Sequence, residues 1–254
     1  MSTIKFNEYF FPVIGGAQNG VGRVIVNQVY GTASYIGNNM FITAAHSIEN
    51  ANSNDLSGIG FIEPSKGLLF KLNKDFELFP ELDIGIVQTE PLDIKIQQFK
   101  FSNKSTPLLK DVWSAGFPHA YDKELKNIKN RALMGYIVSS TNFREFKSNP
   151  LSYELSFHCP VGISGAPLLI RNNSNPLVIG YIVGNTNSEI LILREKEIEI
   201  EKESGKEKET VFEKTETTKY GIAIDILELL EVNSRLLGNK TLATYFSENK
   251  LLMT

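Results

Sequence analysis

The sequence predicts an all-β chain of many short strands, closed by a helix. Two observations predict it. The first is a recurrence of short apolar runs rich in Val, Ile and Phe, each bounded by Gly, Asn, Ser or Pro. They fall at 22–26, 33–36, 40–45, 58–62, 68–72 and 84–87, then at 112–115, 133–138, 153–157, 167–170, 178–183 and 220–226. Such spacing describes a sandwich or a barrel. The second is that helical periodicity is confined to one late stretch. There Ile226, Leu227, Leu230, Val232, Leu236 and Leu237 fit one helix face, and Gly238-Asn239 supplies a stop. No repeat of fixed period is present.

A length of 254 residues suits one large domain or two small ones. The composition, 42% hydrophobic and 22% charged, is that of a soluble globular chain. A net charge of −3 provides no basic surface for phosphates, so no nucleic-acid partner is expected. No apolar run approaches the ~18 residues of a membrane span, so no membrane partner is expected either. The N-terminal stretch does not read as a signal peptide. Cys159 is the single cysteine, which rules out an intrachain disulfide and points to a reducing, cytoplasmic compartment. It has no metal-ligand companions, and no Gly-rich phosphate loop carries the required lysine. Neither a metal nor another cofactor is expected.

Residues 194–218 differ from the rest, being dominated by Glu, Lys and Thr. Such a composition cannot bury a core, and one reading is a disordered loop. The favoured reading is a long, exposed two-stranded ribbon. Ile190, Ile192, Ile198 and Ile200 alternate with neighbours that are often charged, and Val211 and Phe212 lie on the return side. Ser204-Gly205 marks a turn between them. Charges would then pair across the ribbon and discourage edge-to-edge association.

Three residues carry the candidate chemistry. Ser164 lies in Val161-Gly162-Ile163-Ser164-Gly165-Ala166-Pro167, just before an apolar run. A serine hydroxyl needs a base to become a nucleophile, and the carbonyl it attacks needs donors aimed at its oxygen. Small neighbours let the backbone bend so that adjacent N–H groups converge. His46 ends the run Phe41-Ile42-Thr43-Ala44-Ala45-His46, and is one of three histidines. Asp83 opens the run Asp83-Ile84-Gly85-Ile86-Val87. Together these stretches resemble the TAAH, D-I-A-L-L and GxSGxP motifs of the trypsin-like, chymotrypsin-fold serine proteases, and they occur in that family's order.

The resemblance runs from about Gly22 to the last helix and is nearest the HtrA-like branch and related bacterial trypsin-like peptidases. Asp111-Val112-Trp113-Ser114-Ala115-Gly116-Phe117-Pro118 is similar to their G-D-x-V-x-A-I-G-x-P strand. Gly184-Asn185-Thr186-Asn187 and Tyr220-Gly221-Ile222-Ala223-Ile224 resemble their G-I-N-T and G-F-A-I pair, with the charged ribbon between. The resemblance implies two six-stranded antiparallel β-barrels with a C-terminal helix. It divides one peptidase domain, 1–254, into a barrel at about 10–105, a second at about 106–225 with an insertion at 188–219, and a helix and tail at 226–254. No PDZ domain is expected after Thr254. It further implies a serine endopeptidase acting on protein or peptide substrates. His46 would be the base, Asp83 its orienting partner, Ser164 the nucleophile, and the N–H groups of Gly162 and Ser164 the oxyanion hole. Val183, Gly184 and Asn185 would pair with substrate backbone.

The sequence also departs from the family. Ile163 stands where secreted members carry an aspartate that receives a freed N-terminal amine. The stretch Val13-Ile14-Gly15-Gly16 resembles an activation site but is expected to be a decoy. Ala166 replaces a second glycine. Whether the oxyanion loop is formed at rest or needs a substrate or an activating protein partner stays open. His158 falls at the position that usually forms the base of the specificity pocket, where it would favour an acidic or amide side chain. A histidine merely hydrogen-bonded inside the barrel fits equally. His119 reads as a loop residue. Two other functions remain: a catalytically silent binding module using the ribbon, and an esterase using the same three residues.

Overall fold

The computed structural model describes residues 8–18, 24–53, 59–63, 68–91, 96–118, 121–122, 127–172, 175–200 and 207–253. The first six strands are β1 (Phe10–Gln18), β2 (Val24–Gly37), β3 (Met40–Ala44), β4 (Ile59–Glu63), β5 (Leu68–Phe79) and β6 (Ile84–Thr89). They close into an antiparallel barrel in the order β1-β2-β3-β6-β5-β4. Helix α1 (Ala45–Ser53) leaves the barrel directly after β3. The alternation predicts inward side chains, and in β3 both faces are covered, so all five of its residues are buried.

The second half begins with β7 (Lys100–Phe101) and β8 (Asp111–Gly116) and a small hairpin, β9 (Tyr121–Asp122) and β10 (Asn127–Ile128). Five strands follow: β11 (Arg131–Asn142), β12 (Leu151–Leu155), β13 (Pro167–Asn172), β14 (Asn175–Ile200) and β15 (Glu207–Asp225). Their order is β13-β8-β11-β12-β15-β14, and β13 also pairs with β14, so this sheet closes on itself. β7 joins β14 in parallel from outside. The architecture is therefore barrels rather than a sandwich, and closure leaves no open sheet edge in either ring.

The charged insertion is a ribbon. β14 and β15 stay paired from Gly180↔Asp225 out to Ile200↔Glu207, far beyond the barrel wall. The disordered alternative for its arms is thereby set aside. The expected turn at Ser204-Gly205 lies outside the described residues.

Three further differences from the sequence reading have physical causes. β1 was absent from the apolar runs because Pro12 and the Gly15-Gly16 pair break its pattern. The strand absorbs them with register shifts after Val13 and Gly15. Val13 and Ile14 are fully buried in it. Secondly, the sequence marks the start of α1 only as the end of a strand. Its buried positions, Ala45, Ser47, Ile48 and Ala51, are too small and too polar to declare a helix face. Thirdly, the periodic stretch at 226–237 is not one helix. α2 (Ile226–Leu230) ends after one turn, and a short bridge of β16 (Asn233–Ser234) with β17 (Lys240–Thr241) encloses a 3-10 turn at Arg235–Leu237. Glu77 of the first barrel causes the break: its Oε2 accepts from Ser234 Oγ at 2.7 Å and Arg235 N at 3.0 Å. The last helix is α3 (Leu242–Glu248).

One buried carboxylate ties the connection between the barrels to the second of them. Asp225, fully buried, accepts from Tyr153 Oη at 2.6 Å and Ser105 Oγ at 2.7 Å, and caps α2 by accepting from Leu227 N at 2.9 Å. Tyr153 Oη in turn accepts from Thr106 N at 2.8 Å. Burial and the Asp225 bond raise the Tyr153 phenol above its ordinary range. Asp225→Ala removes a cap and strands the buried Tyr153 hydroxyl. It should lower stability by about 3 kcal/mol in urea unfolding. Asp225→Asn, which keeps acceptors, should cost less. Equal midpoints for wild type and Asp225→Ala would contradict this account.

Candidate active site

His46 and Asp83 are brought together by the junction of β3, α1 and β6. β3 pairs with β6 so that Ala44 faces Ile84, which sets His46 beside Asp83. Asp83 then completes the start of α1. Its carbonyl accepts from Ala45 N at 3.0 Å, and its Oδ1 accepts from His46 N at 2.9 Å. These are N-terminal helix donors that no helix carbonyl can reach. The second carboxylate oxygen, Oδ2, lies 2.6 Å from His46 Nδ1. An ionised carboxylate can only accept, so Nδ1 carries the proton and Nε2 is left as the basic nitrogen. Asp83 has a positive φ of 52°, which costs an L residue roughly 1 kcal/mol. The geometry is held by the turn Pro80–Asp83 and by both carboxylate bonds. The Asp83 side chain is 12% exposed and the His46 side chain 37% exposed, so the imidazole has a wet edge and a buried one.

Ser164 lies in the loop between β12 and β13, at the seam of the two barrels. Two glycines make this loop possible. Gly162 has φ +98° and Gly165 φ +81°, both left-handed. A Cβ on Gly165 would sit 2.4 Å from Ala44 N and Thr32 O, and one on Gly162 would sit 2.6 Å from Phe117 O. The loop is bonded on its inner side. Thr32 N donates to Ser164 O and Thr32 Oγ1 to Gly162 O, each at 2.8 Å. Gly165 N donates to Ile182 O at 2.7 Å, and Ala166 N to Ile163 O at 2.9 Å. Among the described residues the N–H groups of Gly162 and Ser164 have no intramolecular acceptor.

Ser164 and His46 share one cleft of about 510 Å³, lined also by Gly162, Cys159, Val183 and Asn185. A second cleft, of about 280 Å³, lies on the other side of the imidazole, between Asp83, Phe143, Phe146 and Gly184. Val183, Gly184 and Asn185 border both. Asn185 also stitches the walls together: its Nδ2 donates to Cys159 O and its Oδ1 accepts from Cys159 N, both at 2.7 Å. Cys159 is 4% exposed, and burial pushes its thiol up to about 12. It stays protonated at neutral pH and does not compete as a nucleophile.

His158 is placed differently from either expectation. It is exposed, and it lines neither cleft. The chain turns at this point, so Cys159 faces inward and His158 outward. Ile163 is fully buried in an apolar cluster with Val112, Ala166 and Leu168. No amine could be accommodated there without stranding its charge. His119 lies outside the described residues. No sequence motif marks Thr32. The available signal was that Thr32 and Ser34 are polar residues at strand positions whose neighbours are core, and buried hydroxyls of this kind carry bonds.

No protein-family model and no curated protein matches this chain. Solved structures do. The protease Rv3671c of Mycobacterium tuberculosis in its active form superposes with a TM-score of 0.54 at 14% identity, covering 95% of this chain and 80% of that one. A serine-to-alanine variant of it in an inactive form gives 0.53 at 14% identity, covering 95% and 88%. At this identity the likeness concerns the fold. With its closed six-stranded barrel and its second closed sheet, the chain has the chymotrypsin-like fold of the trypsin-like serine proteases.

Proposed function

We propose that this chain is a serine endopeptidase that cleaves protein or peptide substrates through an acyl-enzyme on Ser164. The observation that carries the reading is the pair of bonds from one carboxylate to His46. They leave Nε2 as the free base in the cleft that holds Ser164. In the first step Nε2 takes the Ser164 hydroxyl proton as the oxygen attacks the scissile carbonyl. The developing oxyanion is held by the N–H groups of Gly162 and Ser164, which no protein acceptor occupies. The imidazolium, stabilised by Asp83, then protonates the leaving amine. Water repeats the sequence to release the acid. The segment Val183–Asn185 borders both clefts, which suits an extended peptide running past the imidazole.

This peptidase is not switched on by a freed N-terminus. Val13 and Ile14 are fully buried inside β1, and Ile163 is apolar and fully buried. The ribbon continues from the strand that borders the clefts, so it engages large substrates or an activating protein rather than the scissile bond itself.

Four outcomes are expected. Ser164→Ala abolishes peptide hydrolysis and fluorophosphonate labelling while leaving thermal unfolding unchanged. Asp83→Asn lowers kcat by about 10⁴-fold through the wrong imidazole tautomer. Labelling that persists in Ser164→Ala would sink the assignment. Trimming the chain to begin at Val13 does not raise activity. It instead lowers stability, since Phe10 and Phe11, each worth roughly 1.5–3 kcal/mol on burial, are lost from the core. Replacing residues 196–216 by a short turn leaves cleavage of short peptides unchanged but slows cleavage of folded protein substrates; equal rates on both would remove the ribbon from the mechanism.

A further inference from the structure

The serine loop is held from beneath by one side chain of the other barrel. Thr32, on β2, is fully buried. Its hydroxyl accepts from Phe117 N at 3.1 Å and donates to Gly162 O at 2.8 Å. Its backbone N–H donates to Ser164 O at 2.8 Å, and its carbonyl accepts from Thr43 Oγ1 at 2.8 Å. A hydroxyl has one proton, so both roles of Thr32 Oγ1 are fixed by its neighbours. The line Phe117 N–H to Thr32 O–H to Gly162 C=O is a polarised relay in a site without water competition. β-Branching limits χ1, so the hydroxyl has little freedom to leave it.

The consequence follows peptide by peptide. The plane joining Gly162 and Ile163 is fixed at both ends, by Thr32 Oγ1 on Gly162 O and by Ile163 N donating to Pro160 O at 3.1 Å. In the next plane Ile163 O is held by Ala166 N at 2.9 Å, and a trans peptide therefore sends the Ser164 N–H the opposite way. In the third, Ser164 O is held by Thr32 N and Gly165 N by Ile182 O. Thr32 thus supplies the donor to two of three consecutive planes around the nucleophile. The fit is close: a Cβ on Gly116 would lie 2.4 Å from Thr32 Oγ1.

We propose that Thr32 is a positioning residue for acyl transfer. Its hydroxyl holds the plane joining Gly162 to Ile163, which lies between the two peptides that carry the open N–H groups of Gly162 and Ser164, and so keeps the oxyanion hole assembled in the resting chain. This rests on the serine-endopeptidase reading above, and it answers from the first barrel a question that the loop's own sequence leaves open.

The test compares wild type, Thr32→Val, Thr32→Ala and Thr32→Ser. Valine keeps the shape and removes the hydroxyl; alanine serves the same purpose if valine prevents folding. The expected result is a kcat lower by about tenfold, less than the roughly 10²–10³-fold cost of deleting an oxyanion donor outright. KM should change little, and Thr32→Ser should restore the rate. A merely structural role would lower the unfolding temperature of all three variants without this split. Full activity in both hydroxyl-free variants would overturn the proposal, as would a failure of serine to rescue. Fluorophosphonate labelling of wild type reports separately on the protease reading. If wild type is not labelled, that reading fails, and amide exchange at Ile163 and Gly165 decides the present one. Faster exchange in Thr32→Val than in wild type and Thr32→Ser supports it, and unchanged exchange overturns it.

Discussion

The hydrogen bond from Thr32 N to Ser164 O joins the two halves of this molecule where the chemistry is proposed to occur. Each barrel is closed by its own strand pairing. What they share is a seam. Along it, Thr32 bonds to the serine loop, and Ser34 Oγ lies 2.7 Å from the buried Tyr181 hydroxyl. These polar contacts sit in a buried surface where an unmatched group would cost about 1–3 kcal/mol. The relative placement of the barrels is therefore set by discrete bonds as well as by apolar area. That gives His46, carried by the first barrel, a fixed relation to Ser164, carried by the second.

Asp83 performs the equivalent task within the first barrel. One carboxylate binds the main-chain N–H and the ring nitrogen of the same histidine. Helix start, strand end and imidazole orientation thus depend on a single group. The left-handed backbone at Asp83 is the local cost of aiming it. Glu77 and Asp225 show the same economy elsewhere. Each is a carboxylate that takes donors at a helical start, and each also binds a hydroxyl from a distant element. A chain without disulfides uses these multiply bonded carboxylates to fix its connections.

The C-terminal region closes the structure over both barrels. Phe246 of α3 stacks on Phe101 with ring centroids 3.9 Å apart, and the chain end pairs with β7 on both sides of Phe101. Tyr245, one residue earlier, accepts from Asn38 Nδ2 of the first barrel at 3.1 Å. The final residues therefore fasten the link between the halves. In the ribbon, β14 and β15 stay paired out to Ile200↔Glu207.

The sequence by itself marked most of the barrel strands, favoured the ribbon over a disordered loop and picked out the candidate site. Alternation in short apolar runs reports which face is buried, and that is a local property. His46, Asp83 and Ser164 were legible because each sits in a short stretch of recognisable composition. The tertiary structure decided the rest. β1 became a strand because β2 and β4 gave its interrupted pattern partners. The helical run at 226–237 broke because Glu77, far away in the chain, captured Ser234 and Arg235. His158 turned outward because Asn185 bound the backbone of its neighbour, Cys159, and drew that residue inward. Thr32 had no motif to announce it. Its partners, Gly162, Ser164 and Phe117, are remote in sequence, and a hydrogen bond between remote residues leaves no periodicity in the chain.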